Sequence, residues 1–321
     1  MRAIILFLFS LPIMLFASAA KNYDFVVAKD GSGDFQTIQE AINAVPDFRK
    51  NETTIYVKIG QYQEKIIIPA SKQHITLIGE DKFKTTISYN DYAQKKNRFG
   101  EEMGTSGSAS FYSYGEDFTA INLTFENSSG PIGQAVSAWI CGDRSLFIHC
   151  RFLGFQDTLY TYGKGARQLY YQCYIEGTVD YIFGSSTAWF ERCELHCKNS
   201  GYITAASTPA DIDYGYIFNN CKITGNQDSK SFYLGRPWRP YAKVIFMHCQ
   251  LPEFIEGAGW HNWGKESNEK TAFFAEYKNT GVGSLSQNRV KWSHQLTDTT
   301  ADNLDLHRVF KDWTPNLSLD R

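Results

Sequence analysis

Apolar residues in this chain come in short alternating runs. Ile55-Tyr-Val-Lys-Ile59, Ile66-Ile-Ile68, Ile75-Thr-Leu-Ile78 and Phe118-Thr-Ala-Ile-Asn-Leu-Thr-Phe125 are β-branched or aromatic and are bounded by Gly, Asn, Asp or Ser. Such runs predict short strands with one buried face. One stretch differs. Residues 34–45 carry apolar side chains at 35, 38, 41, 42 and 45, with Pro46 next, which predicts a single helix that stops at the proline.

Farther along, one pattern recurs. Phe147-Ile-His-Cys150-Arg-Phe152, Tyr170-Tyr-Gln-Cys173-Tyr-Ile175, Phe190-Glu-Arg-Cys193-Glu-Leu195, Phe218-Asn-Asn-Cys221-Lys-Ile223 and Phe246-Met-His-Cys249-Gln-Leu251 each read aromatic, two residues, Cys, one residue, apolar. The cysteines at 150, 173, 193, 221 and 249 are separated by 23, 20, 28 and 28 residues, a period typical of stacked repeats. Each repeat predicts a strand with the cysteine and the residue two beyond it turned inward. Many short strands at a regular period predict coils wound into a parallel β-helix, with the 34–45 helix capping its open end. A propeller or a sandwich leaves the single register of five cysteines unexplained. Equivalent cysteines in adjacent coils lie within disulfide reach, so Cys173 and Cys193 are expected either to pair or to join a ladder of buried thiols.

The N-terminus changes the picture of where the protein works. Met1-Arg2, an apolar run to Phe16, then Ala17-Ser18-Ala19-Ala20 has the order of a secretory signal peptide. Residues 1–20 are therefore expected to be removed, leaving one domain over 21–321 that is secreted or periplasmic, with no membrane attachment once the leader is cut. The run is too short to span a bilayer. A net charge of -2 offers no basic field for nucleic acid, and no metal-ligand spacing occurs. No metal and no cofactor are expected.

Candidate chemistry comes from the repeat. Asp157 follows Cys150 by seven residues, and Asp180 follows Cys173 by seven. Stacked coils would set these carboxylates about 4.8 Å apart, too close to ionise independently, so one keeps a proton while the other stays charged. That is an acid and a nucleophile from one residue type. Gln156 stands beside Asp157 as a donor for a developing oxyanion. Leu234-Gly-Arg236-Pro-Trp238 adds a cation and an aromatic face. Arg236 has the same offset from its next cysteine as Asp180, two coils away, with Ala205–Thr208 small enough between them for the guanidinium to reach across.

In order along the chain, Asp30-Gly-Ser-Gly-Asp-Phe35, Gly60-Gln-Tyr-Gln-Glu64, Gln134-Ala-Val136, Gly154-Phe-Gln-Asp-Thr158, Gly177-Thr-Val-Asp180, Leu234-Gly-Arg-Pro-Trp238 and Glu276-Tyr-Lys-Asn-Thr-Gly281 resemble the pectin methylesterases. The resemblance implies a right-handed parallel β-helix that hydrolyses methyl esters of homogalacturonan to pectate and methanol, without metal; a monomer is expected. The resemblance also implies that Asp180 is the nucleophile and Asp157 the acid and then base. Gln156 and Gln134 would hold the tetrahedral intermediate, Arg236 would pair with the nucleophile, and Trp238, Phe183 and Val179 would wall the sugar groove. Two other readings stay open: a β-helical polygalacturonate lyase with calcium and an arginine base, and a non-enzymatic polysaccharide-binding β-helix. A serine esterase is disfavoured because no G-x-S-x-G occurs.

Overall fold

The computed structural model describes residues 23–227 and 229–320; the signal peptide read over 1–20 lies outside them. The chain forms the expected parallel β-helix. Seven coils each contribute one strand to each of three sheets, and the first sheet gains further strands at its two ends, giving eleven, seven and seven strands. In one coil the strands are Ser145–Ile148, Arg151–Leu153 and Leu159–Thr161; in the next they are Arg167–Tyr171, Tyr174–Gly177 and Ile182–Gly184. The sheets are called first, second and third in that order. Coils stack in strict register, Phe147 against Tyr170, Phe152 against Ile175 and Tyr160 against Phe183.

The repeat places aromatic residues in one interior column. Phe147, Tyr170, Phe190, Phe218 and Phe246 stack with successive ring centroids 4.9, 4.7, 4.4 and 4.3 Å apart and all are buried. Each pair adds about 0.5–1.5 kcal/mol beyond the area it buries.

The cysteine motif is not one strand, as its alternation predicts, but a corner between two. His149, Gln172, Arg192, Asn220 and His248, each just before a cysteine, adopt positive φ of 51–55° and end the first-sheet strand. The 118–125 run breaks likewise at Asn122, φ 55°, into Thr119–Ile121 and Thr124–Asn127. The bend is what lets Phe147 and Cys150, three residues apart, both face inward, which a straight strand of period two would not allow.

No Cys173–Cys193 disulfide forms, and all seven cysteines are free. The thiols point along the stack to backbone carbonyls: Cys173 donates to Phe147 O at 3.5 Å, Cys193 to Tyr170 O at 3.2 Å and Cys221 to Phe190 O at 3.3 Å. The buried-thiol alternative is the one seen.

The N-terminal helix is shorter than predicted, Ile38–Ala44, and buries Ile38, Ala41 and Ile42 over the first coil. Asp34 and Phe35 are drawn away by the first strand, where the Asp34 carboxylate accepts from Val26 N and Phe35 bridges Val27. Thr37 caps the helix, accepting from Glu40 N. At the other end, a tail with helices Asp298–Ala301 and Leu306–Phe310 folds back over the outward face of the first sheet, covering Ile148, Leu169, Trp189, Ile217 and Ile245. A buried ion pair between Arg289 and Glu276, 2.7 Å, anchors the start of that tail.

Candidate active site

The turn from second to third sheet repeats residue for residue in two coils. Gly154-Phe-Gln-Asp157 and Gly177-Thr-Val-Asp180 are superposed by the stack. Gln134 bridges Gln156 across one rung, and Asp157 N donates to Val179 O at 3.1 Å across the next. Asp157 and Asp180, two residues before the Leu159–Ile182 pair, therefore sit on neighbouring rungs as the spacing predicts. Both adopt positive φ, 64° and 53°. Aspartate tolerates that conformation better than most residues. Gly177 is required by packing, since a Cβ there would lie 2.2 Å from Tyr181 Cβ.

Both carboxylates are nearly buried, 8% and 6% exposed, at the floor of a groove of ≈ 570 Å³. Burial, then the neighbouring Asp180 charge, pushes the Asp157 carboxyl well above the usual aspartate range, and Arg236 opposes only in part. Burial also raises Asp180, and the Arg236 fork offsets this only in part. Arg236 Nε and Nη2 donate to the two Asp180 oxygens at 2.8 and 2.7 Å. This bidentate pairing favours the charged form of Asp180.

Arg236 does reach across one coil, but from a different register. It aligns with Ala205 and Phe183 and not with Asp180, because insertions after Asp180 lengthen the later coils unevenly. Its guanidinium lies 3.9 Å over the Tyr202 ring and 3.8 Å over the Trp263 ring. Neither aromatic was picked out from the sequence. Tyr202 falls on the third-sheet strand Ser200–Ala206, outside the cysteine motifs, and Trp263, at φ 63°, belongs to no repeat.

Of the predicted groove residues, Gln134, Gln156, Asp157, Asp180, Phe183, Arg236 and Trp238 line the groove. Val179 does not line it. It occupies the rung position of Gln156, half-buried, and serves through its carbonyl. Tyr160 was also missed; it stacks on Phe183 at 4.2 Å, and Trp238 meets both edge-on. Gln94 donates from Nε2 to Gln134 Oε1 at 3.1 Å, which engages the carbonyl end of that amide and leaves its N–H₂ as a donor. Among the described residues no cluster of three or more His, Cys, Asp or Glu side chains could hold a metal ion.

The arrangement combines a proton-bearing carboxyl, a charged carboxylate held by a guanidinium, and side-chain amides one rung away. It can perform nucleophilic acyl transfer with acid assistance. Comparison with known proteins points the same way. Residues 24–310 match the family model for pectinesterase. The chain is 42% identical over 292 residues to pectinesterase 31 of Arabidopsis thaliana, covering 89% of this chain and 91% of the relative. It spans only 44% of a longer relative, the probable pectinesterase/pectinesterase inhibitor 13 of the same plant. Pectin methylesterase from carrot superposes with a TM-score of 0.83 at 31% identity, covering 91% of this chain and 94% of that one. A pectin methylesterase in complex with a hexasaccharide superposes with a TM-score of 0.82 at 30% identity, covering 93% and 100%.

Proposed function

We propose, from the premise that this chain belongs to the pectinesterase family and is a carboxylic ester hydrolase, that it demethylates homogalacturonan through an acyl-enzyme on Asp180. The observation that carries the mechanism is the asymmetry of the stacked pair, with Arg236 forked onto Asp180 while Asp157 faces that charge from a buried position. An Asp180 oxygen attacks the ester carbonyl carbon. The oxyanion that forms takes hydrogen bonds from the Gln156 and Gln134 amides. As the intermediate collapses, the carbon–methoxy bond breaks and Asp157 gives its proton to the methoxy oxygen, releasing methanol. The Asp157 carboxylate then takes a proton from water, which attacks the acyl carbon. The new galacturonate carboxyl departs, and Asp180 is free again.

The groove aromatics Phe183 and Trp238 receive the sugar rings in this reading. Every group the chemistry needs comes from one chain, which fits a monomer. The N-terminal sequence pattern supports export toward a polymer outside the cell. A lyase needs its arginine free to act as base, and here Arg236 is engaged by Asp180. The test is methanol release from highly esterified pectin with and without a chelator, alongside ultraviolet absorbance. Methanol with acidification and no rise in absorbance is the expected result; chelator-sensitive absorbance without methanol would replace this reading with the lyase.

A further inference from the structure

We propose that the outward side of the second sheet carries an accessory site for a carboxylate-bearing uronate oligosaccharide, separate from the ester-cleaving groove. A depression of ≈ 760 Å³ lies there, and it shares no lining residue with the groove of ≈ 570 Å³. Arg151, Tyr174 and Glu194 follow one another on successive rungs, with Arg192 at the adjoining corner and Lys82 and Phe83 completing the rim. Three cations thus gather around one carboxylate on a chain whose net charge is -2.

The Arg151 guanidinium stands 4.9 Å over the Phe83 ring and 5.4 Å over the Tyr174 ring, and among the described residues makes one hydrogen bond, to Thr124 Oγ1 at 3.4 Å. Among the described residues neither Arg151 nor Lys82 has a carboxylate within ion-pair distance, whereas Arg236 in the catalytic groove is consumed by Asp180. Arg192 is 62% exposed and only loosely paired with Glu191, at 3.6 Å. Phe83 is 65% exposed. A planar guanidinium held between aromatic rings is prearranged for a carboxylate, and an open phenyl face suits the C–H face of a sugar. One ligand class has both features at a repeating interval, an unesterified uronate chain, which is what successive ester cleavages leave behind. Naming that occupant rests on the esterase reading; the existence of the site does not.

The experiment is titration calorimetry of the full chain with a short unesterified galacturonate oligomer, with methanol release from a short esterified oligomer measured on the same samples. Wild type should show two sites. Arg151→Glu/Arg192→Glu should keep one and weaken the other about tenfold or more, the loss of a charge-assisted pair, with methanol release unchanged. Phe83→Ala should weaken the same site, which a plain patch of cations would not do. A single site in wild type, or equal displacement of the oligomer by dextran sulfate, overturns the proposal. If the double variant melts early, Arg151→Gln and Phe83→Ala carry the test. Absence of methanol from wild type would sink the esterase reading and leave the site count to decide this one.

Discussion

Each coil turns two corners around the second sheet, and the chain uses them differently. At the first corner the residue with positive φ is Asn122, His149, Gln172, Arg192, Asn220 or His248, coil by coil. The side chain there varies, while the residue after it in these six coils is Leu or Cys and is buried; Lys278, φ 45° at the same corner of the last coil, is followed instead by the half-buried Asn279. At the second corner the same backbone conformation holds Asp157, Asp180 and then Asn199. A left-handed residue costs about 1–2 kcal/mol relative to an ordinary one. At the first corner that cost is met by whatever packs inside, and the outward side chains differ from coil to coil, Asn220 donating to Glu191 Oε1 and His248 meeting Asn219 Oδ1. At the second, the side chains of Asp157 and Asp180 are aimed into the groove, where identity matters more than shape, whereas the exposed Asn199 lies outside it.

Replacing the second-corner side chains without changing their shape tests this most severely. Asp180→Asn should lower methanol release on the order of 10⁴ or more, as for other lost nucleophiles, with the fold intact by circular dichroism. Asp157→Asn should be nearly as low. An asparagine at 180 that kept activity within tenfold of wild type would mean that the corner is structural at both ends. Asp157 also makes a pH prediction. Its native proton affinity is raised from the ordinary value of 3.8, so between that value and the raised one the native state holds a proton that the unfolded chain releases. Stability then falls as pH rises through that interval. Asp157→Asn carries no such proton, and its Tm should be flatter over the same interval; parallel Tm curves for the two proteins would refute the assignment.

Smaller losses should follow from the groups that serve the pair. Gln156→Ala should cost about 10²–10³ in kcat if the amide holds the oxyanion. Arg236→Ala should cost a similar factor and move the acid limb of the pH profile upward, because Asp180 loses the cation that favours its charge. Lysine at 236 should rescue partly, lacking the fork. Profiles of wild type, Arg236→Ala and Arg236→Lys that coincide in shape and height would show that Arg236 does not set the charge of the pair.

The sequence carried what repeats. Cysteine and aromatic columns announced the coil, and equal offsets from Cys150 and Cys173 announced the aspartate pair, because one residue of register error would have put either side chain on the wrong face. What does not repeat was hidden. Trp263 and the back-folded tail 298–310 have no counterpart in other coils, so no periodicity marks them. The corner within each cysteine motif shows only as a break in phase, the inward aromatic and the inward cysteine standing three residues apart where a straight strand would need an even number. The disulfide question was undecidable from spacing because adjacent coils bring cysteines within reach whether or not their sulfurs turn toward each other.

The mildest test returns to the first corner. Gln172 sits at φ 51° and has no side-chain hydrogen bond among the described residues, while its N–H donates to Glu191 O at 2.9 Å. Gln172→Gly keeps that backbone bond and removes the Cβ that makes the conformation costly. The relief of about 1–2 kcal/mol is offset by the greater freedom of glycine in the unfolded chain, about 0.5–1 kcal/mol. The net is a stabilisation of about 0–1.5 kcal/mol, a rise in Tm of at most about 3 °C for a domain of this size, with kcat unchanged. Asp157→Gly relieves the same backbone and should abolish methanol release while melting no lower than wild type. If Gln172→Gly melts several degrees lower, the outward side chain at the first corner carries stability of its own, and the two corners differ less than their sequences imply.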